Sequence, residues 1–364
     1  NLTFGSFHID IAPIIIVAFF TTLLVFGTKI GARVDGAMTV LKIAIVFFVV
    51  IVGFFYVKAS NFTPFIPPSQ PASTVEGSSA VTGVMTQPLW QFATGMTPSV
   101  YGVPGILSGA ALVFFAFIGF DVVATASEET KNPHKNVPLG IGVGMLLIIV
   151  MYMLVAVVTT GMVSYADLAK QDSPSLATAF ELVGADWAAK IISFGIVLGL
   201  ATVVMVLLLG LTRIVFAMSR DGLLPRGLSK TGKHGTPAAL QIVVGAVVAL
   251  VAAFFDIGVL SDMVNIGTLS AFTLVAISIP IMRKKRPDLP RAFKMPGSPW
   301  IPILIAVANF WLMLNLSVLT WIRFVVWLVV GFAIYFGYGY WHARLGKGDL
   351  TETLSAETDK AVNG

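Results

Sequence analysis

Two ionisable side chains stand inside long apolar runs, and both raise a chemical question. Asp121 sits in FFAFIGFDVVATASEETKNP two residues after Gly119, and Lys42 sits in GAMTVLKIAIVFFVV. An ionisable group at membrane depth is costly unless it faces protein or water, where it can read a charge or carry a proton. For Lys42 one reading is a stem that snorkels to the nearby interface. The other is an ammonium facing the interior, where desolvation lowers its pKa enough for it to cycle a proton. For the Gly119 and Asp121 pair, one reading is close helix packing plus a carboxylate near enough to the surface to be solvated. The other is a helix broken at depth, which is tolerated only where the freed backbone lines a cavity and can hold a ligand.

Other chemistry is sparse. With no cysteine there is neither a disulfide nor a thiolate site, and the four histidines have no metal-ligand spacing. HExxH, Walker-type and GxSxG patterns are all absent, so the expectation is a protein that is not an enzyme and needs no cofactor or metal. Glu128 and Glu129 are adjacent to each other and close to Lys131, as in a solvated, salt-bridged cluster. Asp262, Asn265, Thr268 and Ser270 open one apolar run. Hydroxyl and amide groups in that position are more often caps or interhelical glue than ligands.

The elements that must position these residues follow from composition. Of 364 residues 57% are hydrophobic and 11% charged, against about 25% charged in soluble domains, and the mean hydropathy is +0.90. Apolar windows near the spanning length of about 20 residues recur along the chain, which predicts an all-α polytopic membrane protein in a lipid bilayer. Nine spans are expected: Ile9–Thr28, Gly36–Val57, Ile106–Ser127, Val137–Val163, Ala188–Met218, Pro237–Phe255, Gly258–Met282, Trp300–Leu319 and Ile322–Trp341. A Pro-, Gly- and Ser-rich loop over 58–105 separates the second and third, with a short helix expected near Pro88–Ala93. The tail over 343–364 is polar and expected to lack structure.

Lys and Arg distribution sets an expected orientation. Of 23 such residues, 18 fall in alternate connections and the tail, including Arg213–Lys233 and Arg283–Lys294. The opposite connections hold Lys58, Lys170, Lys190 and Arg323. The chain is therefore expected to start outside and end in the cytoplasm of a cell-membrane protein.

Four spaced motifs carry a family resemblance: FFAFIGFDVVATASEETKNPHKNVPLGI, AMSRDGLLP, NIGTLSAFTLVAI with the following RPDLPR…PWIPI turn, and GARVDGAMTVLKIAIV. Together they resemble the amino acid/polyamine/organocation transporter superfamily, in its bacterial cationic amino-acid transporter branch. The resemblance implies a LeuT-like inverted-repeat (five-plus-five) fold of twelve helices, with these nine matching helices four to twelve. Residues 1–57 then close the first repeat, 106–283 form the second, 284–299 are a cytoplasmic loop and 300–342 the last two helices. The first three helices are then expected to be missing from an N-terminally truncated chain, which would hold half a site and would not transport alone.

Residue roles follow from the same resemblance. Phe115 matches an aromatic gate, and backbone groups of Ala116, Phe117 and Ile118 would take a substrate ammonium. Gly119 permits the break, and Asp121 would read a cationic side chain or couple a proton. Met205 matches a substrate-facing position, and Lys42 the lysine that replaces a sodium ion in proton-coupled relatives. The function implied is proton-coupled import of an amino acid, cationic or of broad specificity, by alternating access. A neutral amino-acid or polyamine carrier, a non-transporting fragment and an intramembrane enzyme are the alternatives. The partners implied are the amino acid, the bilayer and protons as coupling ion; a small accessory membrane subunit is left open, and no nucleic acid is expected.

Overall fold

A computed structural model describes residues 2–4, 7–9, 11–26, 28–72, 83–120, 122–125, 130, 132–171, 174–229, 237–255, 257–287 and 295–343. Helices dominate. In chain order they are α1 (Ile11–Phe26), α2 (Thr28–Phe54), α3 (Leu89–Thr94), α4 (Gly102–Val113), α5 (Val122–Thr125), α6 (Pro133–Met162) and α7 (Tyr165–Ala169). Then follow α8 (Leu176–Leu182), α9 (Asp186–Arg220), α10 (Ala238–Phe254), α11 (Ile257–Lys285), α12 (Trp300–Leu314), α13 (Val318–Ile334) and α14 (Tyr340–His342). Two antiparallel pairs of very short strands, β1 (Leu2–Phe4) with β2 (Phe7–Ile9) and β3 (Gln70–Pro71) with β4 (Ser99–Val100), complete the list.

Among the described residues five helices are long and apolar enough to cross a membrane: Gly36–Phe54, Lys135–Met162, Asp186–Arg220, Ile257–Lys285 and Val318–His342. The last continues from α13 to α14 through a π-turn over Tyr335–Gly339. Four shorter apolar helices lie at Ile11–Val25, Gly102–Phe117, Ala238–Phe254 and Trp300–Leu314. These nine segments fall in the nine apolar windows of the sequence, and the chain is a polytopic all-α membrane protein. Side chains such as Leu146, Met153, Leu304 and Trp327 project from these helices without cover. That much exposed apolar surface suits contact with lipid tails. The expected short helix before the third segment is α3, closed by Gly95 in the left-handed conformation.

The chain forms two compact units. One comprises Asn1–Gly36, Ala201–Phe255 and Val325–Gly364. Its core joins Val17, Phe20 and Leu24 of α1 to Met205 and Leu208 of α9 and to Leu240 and Val244 of α10. Gly245 of α10 lies against Thr21 of α1 so closely that a Cβ there would overlap the threonine hydroxyl.

The other unit comprises Ala37–Leu200 and Asp256–Phe324 and has two cores. In the first, Val49 of α2, Val158 and Met162 of α6, and Phe180 of α8 meet Ala188, Ala189 and Ile192 of α9. In the second, Ala111 of α4 meets Ile266 and Leu269 of α11 and Met313 and Leu316 at the end of α12. The loop before α3 is tied to the α12–α13 turn by Val318 N–H donating to the Gln87 carbonyl (3.1 Å) and Leu319 N–H to Met85 (2.8 Å). Trp90 of α3 stacks on Trp311 of α12 with centroids 6.4 Å apart.

Because lipid is as apolar as leucine, helices associate in a membrane through close packing, and small residues permit it. Helix α9 carries such a seam in Ala188, Ile192, Gly195 and Gly199. A Cβ at Gly195 would overlap Ile45 of α2, whereas one at Gly199 would sit 3.6 Å from Lys42 Cγ, in ordinary contact. Leucine at 195 would have to force α2 away from α9. Gly195→Leu is therefore expected to cost about 1–3 kcal/mol, read as a lowered midpoint in thermal unfolding of the detergent-solubilised protein. Gly142→Ala on α6, where nothing lies within 4 Å, should leave that midpoint unchanged or raise it, since alanine is worth up to about 1 kcal/mol over glycine inside a helix.

Candidate functional site

The third apolar segment does not run through. Helix α4 ends at Val113, a single 3-10 turn covers Phe114–Phe117, and Ile118 is extended at φ −67° and ψ 138°. Gly119 then has φ +119°, a backbone state that side-chain-bearing residues rarely hold. Nothing lies within 4 Å of a Cβ built at Gly119, so the position demands glycine for its conformation rather than for space. Local bonds close the turn: Ile118 N–H to the Phe115 carbonyl (3.2 Å), Val122 N–H to Gly119 (3.1 Å) and Val123 N–H to Phe120 (3.3 Å). Helix α5 resumes after it.

An interrupted helix loses its i-to-i+4 bonds, and the neighbours take up part of what is freed. Tyr152 of α6 donates its hydroxyl to the Ala116 carbonyl at 2.7 Å, and its ring stands edge-on to Phe117 at 5.1 Å. From α11, Asn265 Nδ2 donates to the carbonyl of Leu112 at 3.3 Å. Phe272, two turns further along α11, touches rings on both sides of the break, Phe114 at 6.1 Å and Phe120 at 5.3 Å. The interruption is thus braced by α6 and by α11. Phe115, by contrast, remains 44% exposed.

The remaining expected site residues are placed as follows. Asp121 lies outside the described residues, as do Glu128, Glu129 and Lys131. Lys42 is partly buried on α2, its stem running along Gly199 of α9. Met205 is 2% exposed inside the apolar core of its own unit, with Phe20, Leu24 and Leu240. The structure brings together the 3-10 turn, Ile118 and Gly119; it puts Lys42 on the α2–α9 seam and Met205 in a separate core. The polar cluster at the start of α11 acts as interhelical glue at two positions. Asn265 holds α4, and Asp262 accepts from Thr320 of α13 at 3.0 Å.

Reasoning from sequence missed Tyr152, Phe272 and Gly199. Tyr152 did carry a signal, being the phenol in the aliphatic run LLIIVMYMLVAVV, because a tyrosine hydroxyl in such surroundings needs a partner. GIVLG at Gly195–Gly199 carried another, as a small-xxx-small pattern.

A cleft of about 520 Å³ opens between the end of α2 and the α6–α7 connection, near Tyr56, Lys58, Asn61, Ser164 and Asp167. Three of its polar side chains, Asn61, Ser164 and Asp167, are committed to local structure. Asn61 Nδ2 donates to the Gly161 carbonyl at 2.8 Å. The Asp167 carboxylate accepts from the Ser164 hydroxyl (2.8 Å) and from Lys170 (3.2 Å). Those two donors hold the Asp167 carboxyl below the usual carboxylate range. The break is therefore the stronger candidate site.

Comparison with known proteins gives the family. The amino acid permease family pattern matches residues 7–339. The branched-chain amino acid permease BcaP of Bacillus subtilis (strain 168) is 41% identical over 94% of this chain and 67% of its own length. The methylthioribose transporter of the same organism is 38% identical over 92% of this chain and 65% of its own. Cationic amino acid transporter 4, vacuolar, of Arabidopsis thaliana is 34% identical over 77% of this chain and 42% of its own. The chain spans about two thirds of the length of the bacterial relatives. It belongs to the amino acid permease family, whose named relatives are permeases and transporters rather than enzymes.

Asn265 offers a direct measurement of the bracing. Asn265→Ala removes the Nδ2 donor to the Leu112 carbonyl, a loss of about 0.5–1.5 kcal/mol. The expected outcome is a lower unfolding midpoint together with faster proteolysis or hydrogen exchange over residues 112–120, while α8 is unaffected.

Proposed function

Taking membership of the amino acid permease family as the premise, we propose that this chain carries an amino acid across a membrane by alternating access and that the α4–α5 break forms part of the substrate site. The observation that carries the proposal is the helix interruption itself. Backbone polar groups at membrane depth are left out of a helix only where they line a cavity or are buried in protein, and transporters use such groups as ligands. In this reading the backbone of Ala116, Phe117 and Ile118 takes the substrate ammonium, Gly119 supplies the turn, and the uncovered ring of Phe115 closes over the bound molecule. Asp121 and Lys42 carry the coupling proton.

Two observations bear on substrate and coupling. The branched-chain amino acid permease of Bacillus subtilis is 41% identical to this chain, whereas the Arabidopsis cationic transporters 4 and 3 are 34% and 36% identical. That favours a branched-chain amino acid, with a cationic one as the second reading. Lys42 is partly buried with its stem beside Gly199 of α9, which supports the coupling role. A protonated Lys42 would hold α2 to its neighbours, and loss of the proton would loosen them. The asymmetry of Lys and Arg along the sequence supports residues 1–8 outside and the C-terminus in the cytoplasm of a cell membrane.

The test is uptake by vesicles containing the complete gene product that holds this chain, with leucine, isoleucine, lysine and ornithine in competition. Gly119→Leu cannot hold φ +119° and should lower the specificity constant for uptake by roughly tenfold to a hundredfold while the protein still reaches the membrane. Unimpaired uptake by that variant would remove the break from the site. Parent uptake should rise as the outside is acidified, and Lys42→Ala should flatten that response; a Lys42→Ala protein with the parent's pH profile would remove Lys42 from coupling.

A further inference from the structure

The Ala116 carbonyl has lost its helical partner, because the chain turns away at Ile118 and Gly119. It is not idle. The Tyr152 hydroxyl donates to it at 2.7 Å, and the edge-on contact with Phe117 at 5.1 Å keeps the phenol over the turn. This carbonyl is also one of the acceptors that the reading above assigns to the substrate ammonium. A phenol O–H and an ammonium N–H make the same demand on a carbonyl oxygen. The ammonium bond is charge-assisted and about twice as strong as the neutral one, so where the two compete for this oxygen an arriving amino acid displaces the phenol.

We propose that Tyr152 is the resting ligand of the break: its hydroxyl occupies the Ala116 carbonyl while no amino acid is bound and yields it to the ammonium on loading. The proposal rests on the reading of the break as substrate site and deepens it. It has two consequences. The resting bond stabilises the empty carrier, so loading works against it and the apparent affinity is lower than the site alone would give. The same bond keeps the unloaded break in its turned conformation, so the empty carrier can change sides without an unmade acceptor in apolar surroundings.

Net uptake requires the empty carrier to return, and exchange of internal for external amino acid does not, which separates the two consequences. Tyr152→Phe keeps the ring against Phe117 and removes only the hydroxyl. In the complete gene product, with leucine as probe (or lysine if competition selects it), the dissociation constant should fall about fivefold, near the worth of one hydrogen bond. Exchange should stay within about twofold of the parent, while net uptake into unloaded vesicles falls several-fold. A dissociation constant unchanged within that margin, or net uptake and exchange lost in parallel, overturns the proposal.

If Tyr152→Phe fails to reach the membrane, the parent protein labelled with 3-fluorotyrosine gives an independent measurement. Its Tyr152 fluorine resonance should move on saturation with leucine, and an unmoved resonance overturns the proposal equally. Gly119→Leu is measured alongside. Parent-like binding by Gly119→Leu removes the site reading and this proposal with it. Lost binding in Gly119→Leu with parent-like behaviour in Tyr152→Phe removes the resting-ligand role alone.

Discussion

In an apolar medium a backbone carbonyl must find a donor, and the α4–α5 interruption strains that requirement. Between Val113 and Val122 the helix ladder is given up, and the acceptors it releases cannot turn to bulk water if the segment lies at membrane depth. Much of the surrounding architecture can be understood from that demand. Helix α6 supplies a phenol, α11 supplies an amide, and Phe272 keeps the two sides of the break in contact with one ring each. A scaffold that holds the break from two directions lets it persist without collapsing into a continuous helix.

Close packing of the scaffold follows from a second constraint of the same medium. Apolar surface gains little by leaving lipid for protein, so helix contacts depend on shape. Glycines at 53, 195 and 245 lie where a Cβ would overlap a neighbouring side chain, and the alanines at 188 and 189 continue the small-residue pattern on α9. Lys42 lies beside the same face, its methylene stem at ordinary contact distance from Gly199.

Much of the fold was legible along the chain because membrane spanning is written in composition and length. Each apolar window holds helix, interrupted in the third at Phe114–Gly119, and the Gly119 kink could be suspected from a glycine beside a carboxylate in an apolar run. Bracing was not legible, for a physical reason. Tyr152 meets Ala116 across 36 residues and Asn265 meets Leu112 across 153, and no local pattern encodes which acceptor a given donor will reach. Met205 illustrates the same limit. Packing encloses it among Phe20, Leu24 and Leu240, neighbours contributed by helices far away in sequence.

The sequence by itself determined that this is a helical membrane protein of nine apolar segments, that the third of them carries a helix-weakening glycine, and that few ionisable groups enter the apolar runs. These follow from residue type and spacing, which local physics converts directly into helix, lipid exposure and the cost of charge. Only the tertiary structure decided that the break spans Phe114–Gly119, that its Ala116 acceptor is held by Tyr152, and that Lys42 lies beside Gly199 of α9. Those outcomes depend on which helices pack together, and in lipid that is settled by side-chain shape and by the pairing of freed polar groups across distant parts of the chain.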